Sequence, residues 1–298
     1  MSVVVFVLTP QVHLLDLAGP AQVFSTAPGY TLRYVAESAT VPTWQGVVLH
    51  ADLEWPALTP DDLVVVPGWS AGHGFFRTGT LRRIADHHAA GGTVASVCAG
   101  ADALGRAGLL DGRRCTTHHD LQDLLARSYP RSSVIRDVLY VSDDRVVTSA
   151  GIASGIDLAL HLVALRHGPA VAARVAREMV VYARRNGDEQ QAGVMLRHRA
   201  HLSDVVHRVQ DRIDASFDGP LRLAGLAAGA GVSERTLTRL FTAATGRTPL
   251  QYQQLLRVER AEYLIGHGST VEAAARAVGF GDARMLRRLR SRAATLPA

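Results

Sequence analysis

The sequence contains no lysine, only two cysteines and no apolar run long enough to span a bilayer. Cys98 and Cys115 are too few for a disulfide framework, which favours a reducing compartment. The opening residues, MSVVVFVLTPQ, lack the basic region and the cleavage site of a secretory signal. We therefore expect a cytoplasmic protein that makes no contact with a membrane.

Charge is distributed unevenly along the chain. Residues 1–182 contain 14 arginines and 16 acidic residues, a net charge of −2, whereas residues 183–298 contain 18 arginines and 11 acidic residues, a net charge of +7. Every strongly basic residue is an arginine, which indicates a general bias toward arginine. The total number of arginines therefore says little about function, and only their uneven distribution between the two parts does. We expect the second part to bind a polyanion and the first part not to.

Hydrophobic patterning divides the chain in the same place. In residues 1–182, short β-branched runs alternate with helical stretches, which predicts an α/β fold with a flavodoxin-like, doubly wound parallel sheet. A hairpin is expected to turn at Asp143 and Asp144. Residues 183–200 are polar and indicate a linker, and residues 201–298 have helical patterning throughout, which predicts an all-α domain. The expected helices of the first part are 14–26, 80–90, 101–107, 119–128, 156–166 and 170–182.

One helix pattern occurs twice in the last hundred residues, 49 positions apart. In each copy, polar residues at i, i+3, i+4 and i+7 share one helix face and leucines occupy the opposite face. Each copy follows a short helix and a glycine-containing turn, with Ser233 or Asp282 as the expected N-cap. A single arginine-rich helix is usually a solvated surface, but two copies with turn and cap favour paired helix-turn-helix motifs that bind DNA. The predicted DNA-contacting residues are Ser233, Arg235, Thr238, Arg239, Thr242, Arg284, Arg287 and Arg288.

This part of the chain resembles AraC-type transcriptional regulators over about residues 201–292. The resemblance is carried by LA–GVS-R-L-R-F–G–P–Y between Leu226 and Tyr252, and by RVERAEYLIGHGSTVEAAARAVGFGD from Arg257 to Asp282. It implies double-stranded promoter DNA as a partner. The family usually has an aromatic core residue where this chain has Arg290, which implies a closing helix that is frayed or poorly packed. We therefore expect the first copy to contact bases and the second to contact mainly phosphates.

Cys98 directly follows a β-branched run and directly precedes a helical stretch, TVASVCAGADALGRAGLLDGRR. Such a strand-to-helix elbow places a thiol at a helix N-terminus, where the partial positive charge is expected to lower the thiol pKa. Asp16, Trp69 and His118 could complete a pocket with it. The alternative is structural: Cys98 as a small buried residue, Asp16 as a helix cap and His118 as a loop side chain. The histidines and cysteines have no metal-ligand spacing, so we expect no metal site and no cofactor.

The first part also resembles a known family, the DJ-1/PfpI branch of the class I glutamine amidotransferase-like fold. The resemblance covers about residues 2–182 and is carried by DLAGP–VF, VVPGW, SVCAGADALGRAGLLDGRRCTTHH and VVTSAGIASGIDLALHLV. It is closest to the GlxA-like regulators, in which this domain is fused to AraC-type helices. By position, Cys98 matches the elbow cysteine, Asp16 its acidic partner and His118 the family histidine. The ligand-binding residues that it implies are Asp16, Gly68, Trp69, Cys98, Ala99 and His118.

Departures from the family pattern favour binding over catalysis. Ala99 replaces a hydroxyl residue that often follows the cysteine, as in isonitrile hydratases, and His119 replaces a usual Trp. We therefore expect a non-catalytic domain that senses a small metabolite (amino-acid-like, amide or quaternary ammonium, as the resemblance implies) in a protein that forms a homodimer through its α/β domain. Two alternatives remain open: a bifunctional cysteine-dependent enzyme with Cys98 as nucleophile and Asp16 or His118 as base, and a redox sensor that responds through Cys98.

Overall fold

The computed structural model describes residues 1–70, 76–181, 185–188, 191, 198, 199, 201–266 and 268–294. The chain divides into two compact units, Met1–Gln191 and Ala192–Ala298. The first unit contains strands and helices, whereas the described residues of the second contain helices only. The division falls within residues 183–200, the segment that the sequence predicts to be a linker.

A six-stranded sheet forms the centre of the first unit. Its strands are β1 (Ser2–Leu8), β2 (Tyr30–Ala36), β5 (Leu63–Val66), β6 (Thr93–Val97), β9 (Tyr140–Asp143) and β10 (Val146–Ser149). They lie in the order β2–β1–β5–β6–β10–β9, and all neighbours are parallel except β9 and β10. The predicted hairpin joins these two strands, and Asp144 in its turn has a φ of 53°.

Helices cover both faces of this sheet. Side chains alternate along a strand, so Val4 and Phe6 of β1 enter one core while Val5 and Val7 enter the other, and all four are essentially unexposed. The first face packs against α1 (Leu14–Thr26), α5 (Ser154–His167) and α6 (Pro169–Glu178). The second face packs against α2 (Thr78–Ala89), α3 (Gly100–Arg106) and α4 (Gln122–Ser128). The predicted doubly wound α/β fold is confirmed.

Several local expectations differ from the structure. The helix predicted at 170–182 begins at Pro169 and ends at Glu178, and the chain then turns at Val180, which has a φ of 55°. The helix predicted at 119–128 begins with a 3₁₀ turn, His119–Leu121, before α4. Four short strands have no counterpart in the sequence analysis. They are the antiparallel pair β3 (Thr40–Pro42) and β4 (Val48–His50), and the parallel pair β7 (Arg114–Cys115) and β8 (Ser133–Val134).

The second unit contains two small hydrophobic cores connected by one long helix. Its helices are α7 (Asp204–Ala215), α8 (Leu223–Gly229), α9 (Glu234–Thr245), α10 (Pro249–Gly266), α11 (Val271–Ala277) and α12 (Ala283–Ala294). Helix α10 supplies Tyr252 to the first core and Ala261 to the second. Among the described residues, no helix has both the length and the apolar composition that crossing a bilayer requires.

Side chains cap the helices of both motifs, because a helix N-terminus leaves backbone N–H groups without partners. The Ser233 hydroxyl accepts a hydrogen bond from the Thr236 N–H at 3.2 Å, and the Asp282 carboxylate accepts one from the Arg284 N–H at 2.8 Å. Thr270 caps α11 in the same way. The predicted caps of α9 and α12 are confirmed.

Candidate functional site

Cys98 lies at a sharp turn between β6 and α3, with a φ of 55°. A positive φ costs a residue with a side chain about 1–2 kcal/mol, so neighbouring bonds must hold it there. The Cys98 N–H donates to the Ser149 carbonyl at 2.9 Å, and the Thr117 hydroxyl donates to the Cys98 carbonyl at 2.7 Å. The strand-to-helix elbow that the sequence predicts is therefore present.

Glycines allow the backbone to pack tightly around this elbow. A Cβ atom at Gly151 would lie 2.3 Å from the Cys98 Cβ, and one at Gly68 would lie 2.8 Å from the same atom and 2.5 Å from Asp16 Oδ2. Neither position has room for a side chain. Asp16, Gly68, Cys98 and Gly151 therefore meet at one point, which we call the elbow site. Gly151 is absent from the predicted site residues, although it follows the buried strand β10 and lies in the family motif VVTSAGIASGIDLALHLV.

Asp16 is fully buried in the first turn of α1. Burial raises the pKa of its carboxyl group to about 7, although the Cys98 thiol and the Gly68 N–H lower that pKa slightly. Neither carboxylate oxygen has a hydrogen-bond partner at normal distance and angle, so these two neighbours compensate little of the cost of burial. The buried Asp16 carboxylate thus lowers the stability of the folded state, and its side chain does not cap α1.

The environment of Cys98 suppresses thiolate formation. Burial, together with the nearby Asp16 carboxylate, raises the pKa of the Cys98 thiol to about 12, and the Ala99 N–H at the start of α3 opposes this only in part. The helix N-terminus thus lowers the pKa as expected, but the net shift is upward, so the expected thiolate-favouring environment is absent at Cys98. Cys98 is only 6% exposed, and its low-dielectric surroundings outweigh the partial charge of a seven-residue helix.

His118 does not act as a base toward Cys98 in this structure. Its Nδ1 lies 3.4 Å from the Asp120 N–H and 3.6 Å from the Asp120 carboxylate, and its ring packs against His119 at 4.0 Å between centroids. Burial and the neighbouring His119 lower the pKa of His118. No hydrogen bond joins its ring to Cys98 in the part of the chain that the structure describes.

His118, His119 and Asp120 form the one group among the described residues whose ligand atoms could hold a metal ion, with all three atoms within 4.8 Å of one another. The spacing of the histidines and cysteines along the chain does not predict this group. His119 and Asp120 are mostly exposed, and the contact between His118 and the Asp120 N–H caps the 3₁₀ turn. Local capping therefore accounts for the arrangement without an ion.

Trp69 follows Gly68 along the chain, but its ring lies in the core. The indole packs edge-to-face on Phe76 at 5.6 Å between centroids and is 6% exposed. Ala99 contributes its N–H beside Cys98 and lies 3.0 Å from a Cβ built at Gly68. Of the predicted ligand-binding residues, the structure brings Asp16, Gly68, Cys98 and Ala99 together.

The predicted DNA face of α9 is exposed. Arg235 and Arg239 extend into solvent on one side of the helix, while Leu237 and Phe241 are fully buried on the other. The exposed face lines an open groove that also includes Thr238, Thr242 and the start of α8. Within the described residues, neither arginine forms an ion pair, so both guanidinium groups are available to an anionic partner.

The corresponding face of α12 is partly neutralised. Arg287 pairs with Glu272 of α11 at 2.5 Å, and Arg290 pairs with Glu262 of α10 at 2.6 Å. Arg284 and Arg288 are exposed. The expected fraying around Arg290 is wrong for the described residues, because α12 continues to Ala294 and Arg290 pairs with Glu262 of α10.

Comparison with known proteins agrees with both halves of the structure. The pattern of the DJ-1/PfpI family matches residues 1–165, more than half of the chain, and a helix-turn-helix domain pattern matches residues 226–297. The chain belongs to the DJ-1/PfpI family. It joins a DJ-1/PfpI domain to an AraC-type helix-turn-helix domain, as the sequence resemblance implies.

Relatives of this DJ-1/PfpI chain include regulators and an enzyme. The HTH-type transcriptional regulator CdhR of Pseudomonas aeruginosa is 34% identical over 59% of this chain and 52% of its own length. GlxA of Rhizobium meliloti, also an HTH-type transcriptional regulator, is 27% identical over 68% of this chain and 62% of its own. Isonitrile hydratase of Pseudomonas putida is 36% identical over 53% of this chain and 68% of its own. This chain spans about half the length of CdhR and of the other regulator GbdR that it matches.

A solved structure shows the same fold. An AraC family transcriptional regulator from Pseudomonas putida superposes on 60% of this chain and 100% of its own, with a TM-score of 0.53 and 22% identity. At that identity the likeness concerns architecture alone. It agrees with the flavodoxin-like DJ-1/PfpI arrangement described above.

Proposed function

We propose that this protein is a transcriptional regulator that works in the cytoplasm, where its helical unit binds promoter DNA and its DJ-1/PfpI unit binds a small metabolite. The exposed, unpaired arginine face of α9 carries the DNA part of the proposal. Guanidinium groups on one helix face can contact guanine edges and phosphates, as a helix in the major groove requires. Regulators among the relatives support the same assignment.

The buried carboxyl group of Asp16 indicates what kind of metabolite fits. The Cys98 thiol and the Gly68 N–H lie near its oxygens, but neither forms a hydrogen bond of normal geometry, so a ligand that donates N–H groups would recover part of the cost of burial. Amino-acid-like and amide ligands have such donors, whereas a quaternary ammonium group has none. Within the classes that the family resemblance implies, we therefore propose a ligand that carries N–H groups.

A binding assay with the DNA upstream of the gene tests the first part. Arg239→Ala should weaken binding by about 5- to 150-fold, which corresponds to about 1–3 kcal/mol for one good base contact. Binding should weaken steeply as salt increases, because phosphate contacts release counterions. The matched control is Arg82→Ala, which removes one exposed arginine from α2 of the other unit.

Two outcomes would refute DNA binding. One is a folded full-length protein that does not bind this DNA at low salt. The other is an Arg239→Ala variant whose affinity equals that of Arg82→Ala, since net charge alone would then explain the interaction.

Catalysis by Cys98 is the second candidate function, and the positive φ at the elbow is the observation that favours it. The chemistry of the site opposes it. Burial and the Asp16 carboxylate raise the pKa of the Cys98 thiol, so little thiolate forms at neutral pH, and His118 contacts Asp120 instead of Cys98. We propose binding without turnover. Multiple turnover of an isonitrile or a 2-oxoaldehyde, lost in Cys98→Ser, would replace that proposal with an enzyme.

The same low thiolate fraction makes Cys98 a poor redox sensor, because peroxide reacts with the thiolate. We propose that peroxide leaves DNA affinity unchanged. Peptide mass spectrometry after mild peroxide treatment should show unmodified Cys98. Oxidation of Cys98 together with a change in DNA affinity would favour the redox alternative.

We also propose that the α/β unit forms a homodimer. The β3–β4 hairpin exposes more than half of the Trp44 and Val48 side chains. Hydrogen bonds from the Trp44 N–H to the Val12 carbonyl and from the Leu14 N–H to Gln45 hold this hairpin against the start of α1. A second copy would bury this apolar surface. Light scattering should give a dimer for the wild type and a monomer for Trp44→Glu, and a monomeric wild type would contradict the proposal.

A further inference from the structure

The segment that follows α6 is bonded to the α/β unit at several points. We call the described residues of this segment, 185–188 and 191, the strap. Arg185 donates to the Asp157 carboxylate from its backbone N–H at 3.2 Å, from Nε at 3.1 Å and from Nη2 at 2.6 Å. The Asp157 side chain is only 4% exposed. This charge-assisted contact fixes the beginning of the strap on α5.

Gly187 holds the middle of the strap against the edge strand of the sheet. Its carbonyl accepts hydrogen bonds from the N–H groups of Leu139 at 2.9 Å and Tyr140 at 3.2 Å. A Cβ atom at Gly187 would lie 2.7 Å from the Tyr140 carbonyl oxygen, so a larger residue could not approach the strand this closely. The strap thus occupies hydrogen-bonding positions beside β9.

Gln191 connects the end of the strap to the elbow. Its backbone N–H donates to the Asp137 carboxylate at 3.1 Å, and its side-chain amide donates to the carbonyls of Thr117 at 3.0 Å and Val138 at 3.1 Å. The hydroxyl group of the same Thr117 donates to the Cys98 carbonyl at 2.7 Å, in a fully buried bond. Only Thr117 stands between the Gln191 amide and the elbow cysteine.

We infer that Gln191 is a positioning residue that couples the elbow site to the strap through Thr117. A ligand at Asp16 and Cys98 that shifts the elbow moves Thr117, and this changes how firmly Gln191 holds the strap. The Thr117–Cys98 bond is buried and the Gln191 bonds are part-buried, so their geometry is directional and such a shift favours either a held or a released strap. Since the chain continues from Gln191 into the helical unit, strap release is the step by which ligand binding changes DNA affinity. This regulatory role rests on the proposed function, whereas the coupling itself belongs to the α/β unit.

Coupling is reciprocal, so a change in the strap must alter the elbow at Cys98, and a change at the elbow must alter the strap. In the full-length protein, Gln191→Ala should increase the rate at which iodoacetamide alkylates Cys98 at pH 9 by about 5- to 10-fold, because it removes the part-buried hydrogen bond to Thr117. Peptide mass spectrometry distinguishes Cys98 from Cys115. Gln191→Glu, which keeps the shape but loses the amide donors, should behave like Gln191→Ala. The matched control is Gln22→Ala on the exposed face of α1, which should leave the rate unchanged.

The reverse direction uses Thr117→Val, which removes the hydroxyl group but keeps the carbonyl that Gln191 contacts. Hydrogen exchange at the Leu139 and Tyr140 amides, which donate to Gly187, should become about 5- to 10-fold faster than in the wild type. Thr31→Val, on the exposed surface of β2, is the control and should have no effect.

The inference is overturned if either Gln191→Ala or Thr117→Val leaves the opposite end within two-fold of the wild type. It is also overturned if the control variants change these rates as much as the test variants do. Neither measurement involves DNA. A failure of promoter binding would therefore refute the proposed function without changing the outcome for the coupling.

Discussion

Asp16→Asn should make the α/β unit more stable at neutral pH, although it removes a residue of the elbow site. The carboxyl group has a pKa of about 7 in the folded protein against 3.8 in an unfolded chain. Between these two values the folded state keeps a proton that the unfolded state has released, so stability falls as pH rises. A difference of about 3 pKa units corresponds to a cost of about 4 kcal/mol above pH 7. The cost disappears below about pH 4, where both states are protonated.

Asparagine has nearly the same shape and carries no charge, so Asp16→Asn removes this pH dependence. The variant should match the wild type near pH 4 and exceed its free energy of unfolding by up to about 4 kcal/mol at pH 8. Urea unfolding followed by tryptophan fluorescence measures this directly, because the chain's three tryptophans, Trp44, Trp55 and Trp69, all lie in the first unit. Equal slopes of stability against pH for the two proteins between pH 5 and 8 would refute the reasoning. Asp16→Ala would leave a cavity and is not a suitable substitute.

Three further substitutions test packing. Gly151→Ala should destabilise the α/β unit by about 3 kcal/mol, because Gly151 has a positive φ and an added Cβ would lie 2.3 Å from Cys98. Gly108 also has a positive φ but has open space around it, so Gly108→Ala should cost only about 1 kcal/mol. Equal costs for the two variants would contradict tight packing at the elbow. Leu286→Ala should lower the unfolding free energy of the helical unit by about 2–5 kcal/mol by circular dichroism, and half-exposed Leu250→Ala should lower it by much less. Arg290→Ala should cost less than about 1 kcal/mol, because its ion pair with Glu262 is exposed, and a larger loss would show that this pair replaces a core contact.

Local chemistry made much of this fold predictable. The caps at Ser233 and Asp282 need only the side chain and the N–H groups two or three residues later, and both form as expected. The hydrophobic periods of the strands and helices in the first unit also depend only on neighbouring residues. They predict alternating strands and helices, and the doubly wound sheet is built from these. The four short strands β3, β4, β7 and β8 have two or three residues each, too few to show a period of two.

The electrostatics of the elbow could not be predicted in this way. The position of Cys98 at a helix N-terminus is visible in the sequence, and by itself it favours a lowered thiol pKa. Its burial and the approach of Asp16 depend on β6, α1 and α3 packing together, and these effects are larger and opposite in sign. Gly151 and Gln191 were missed for the same reason, since each acts on Cys98 or Thr117 only after distant segments meet. Tertiary contacts decide the chemistry that local geometry only suggests.

The ion pairs of α12 have a consequence for the promoter. Before Arg287 or Arg290 can contact a phosphate or a base, it must leave Glu272 or Glu262, a cost that Arg235 and Arg239 of α9 do not carry. Base substitutions opposite α9 should therefore lower affinity more than substitutions opposite α12. The operator should contain one half-site with conserved bases, opposite α9, and one with variable bases, opposite α12. An alignment of the promoters that such a protein binds should show one conserved sequence box next to one with little conservation.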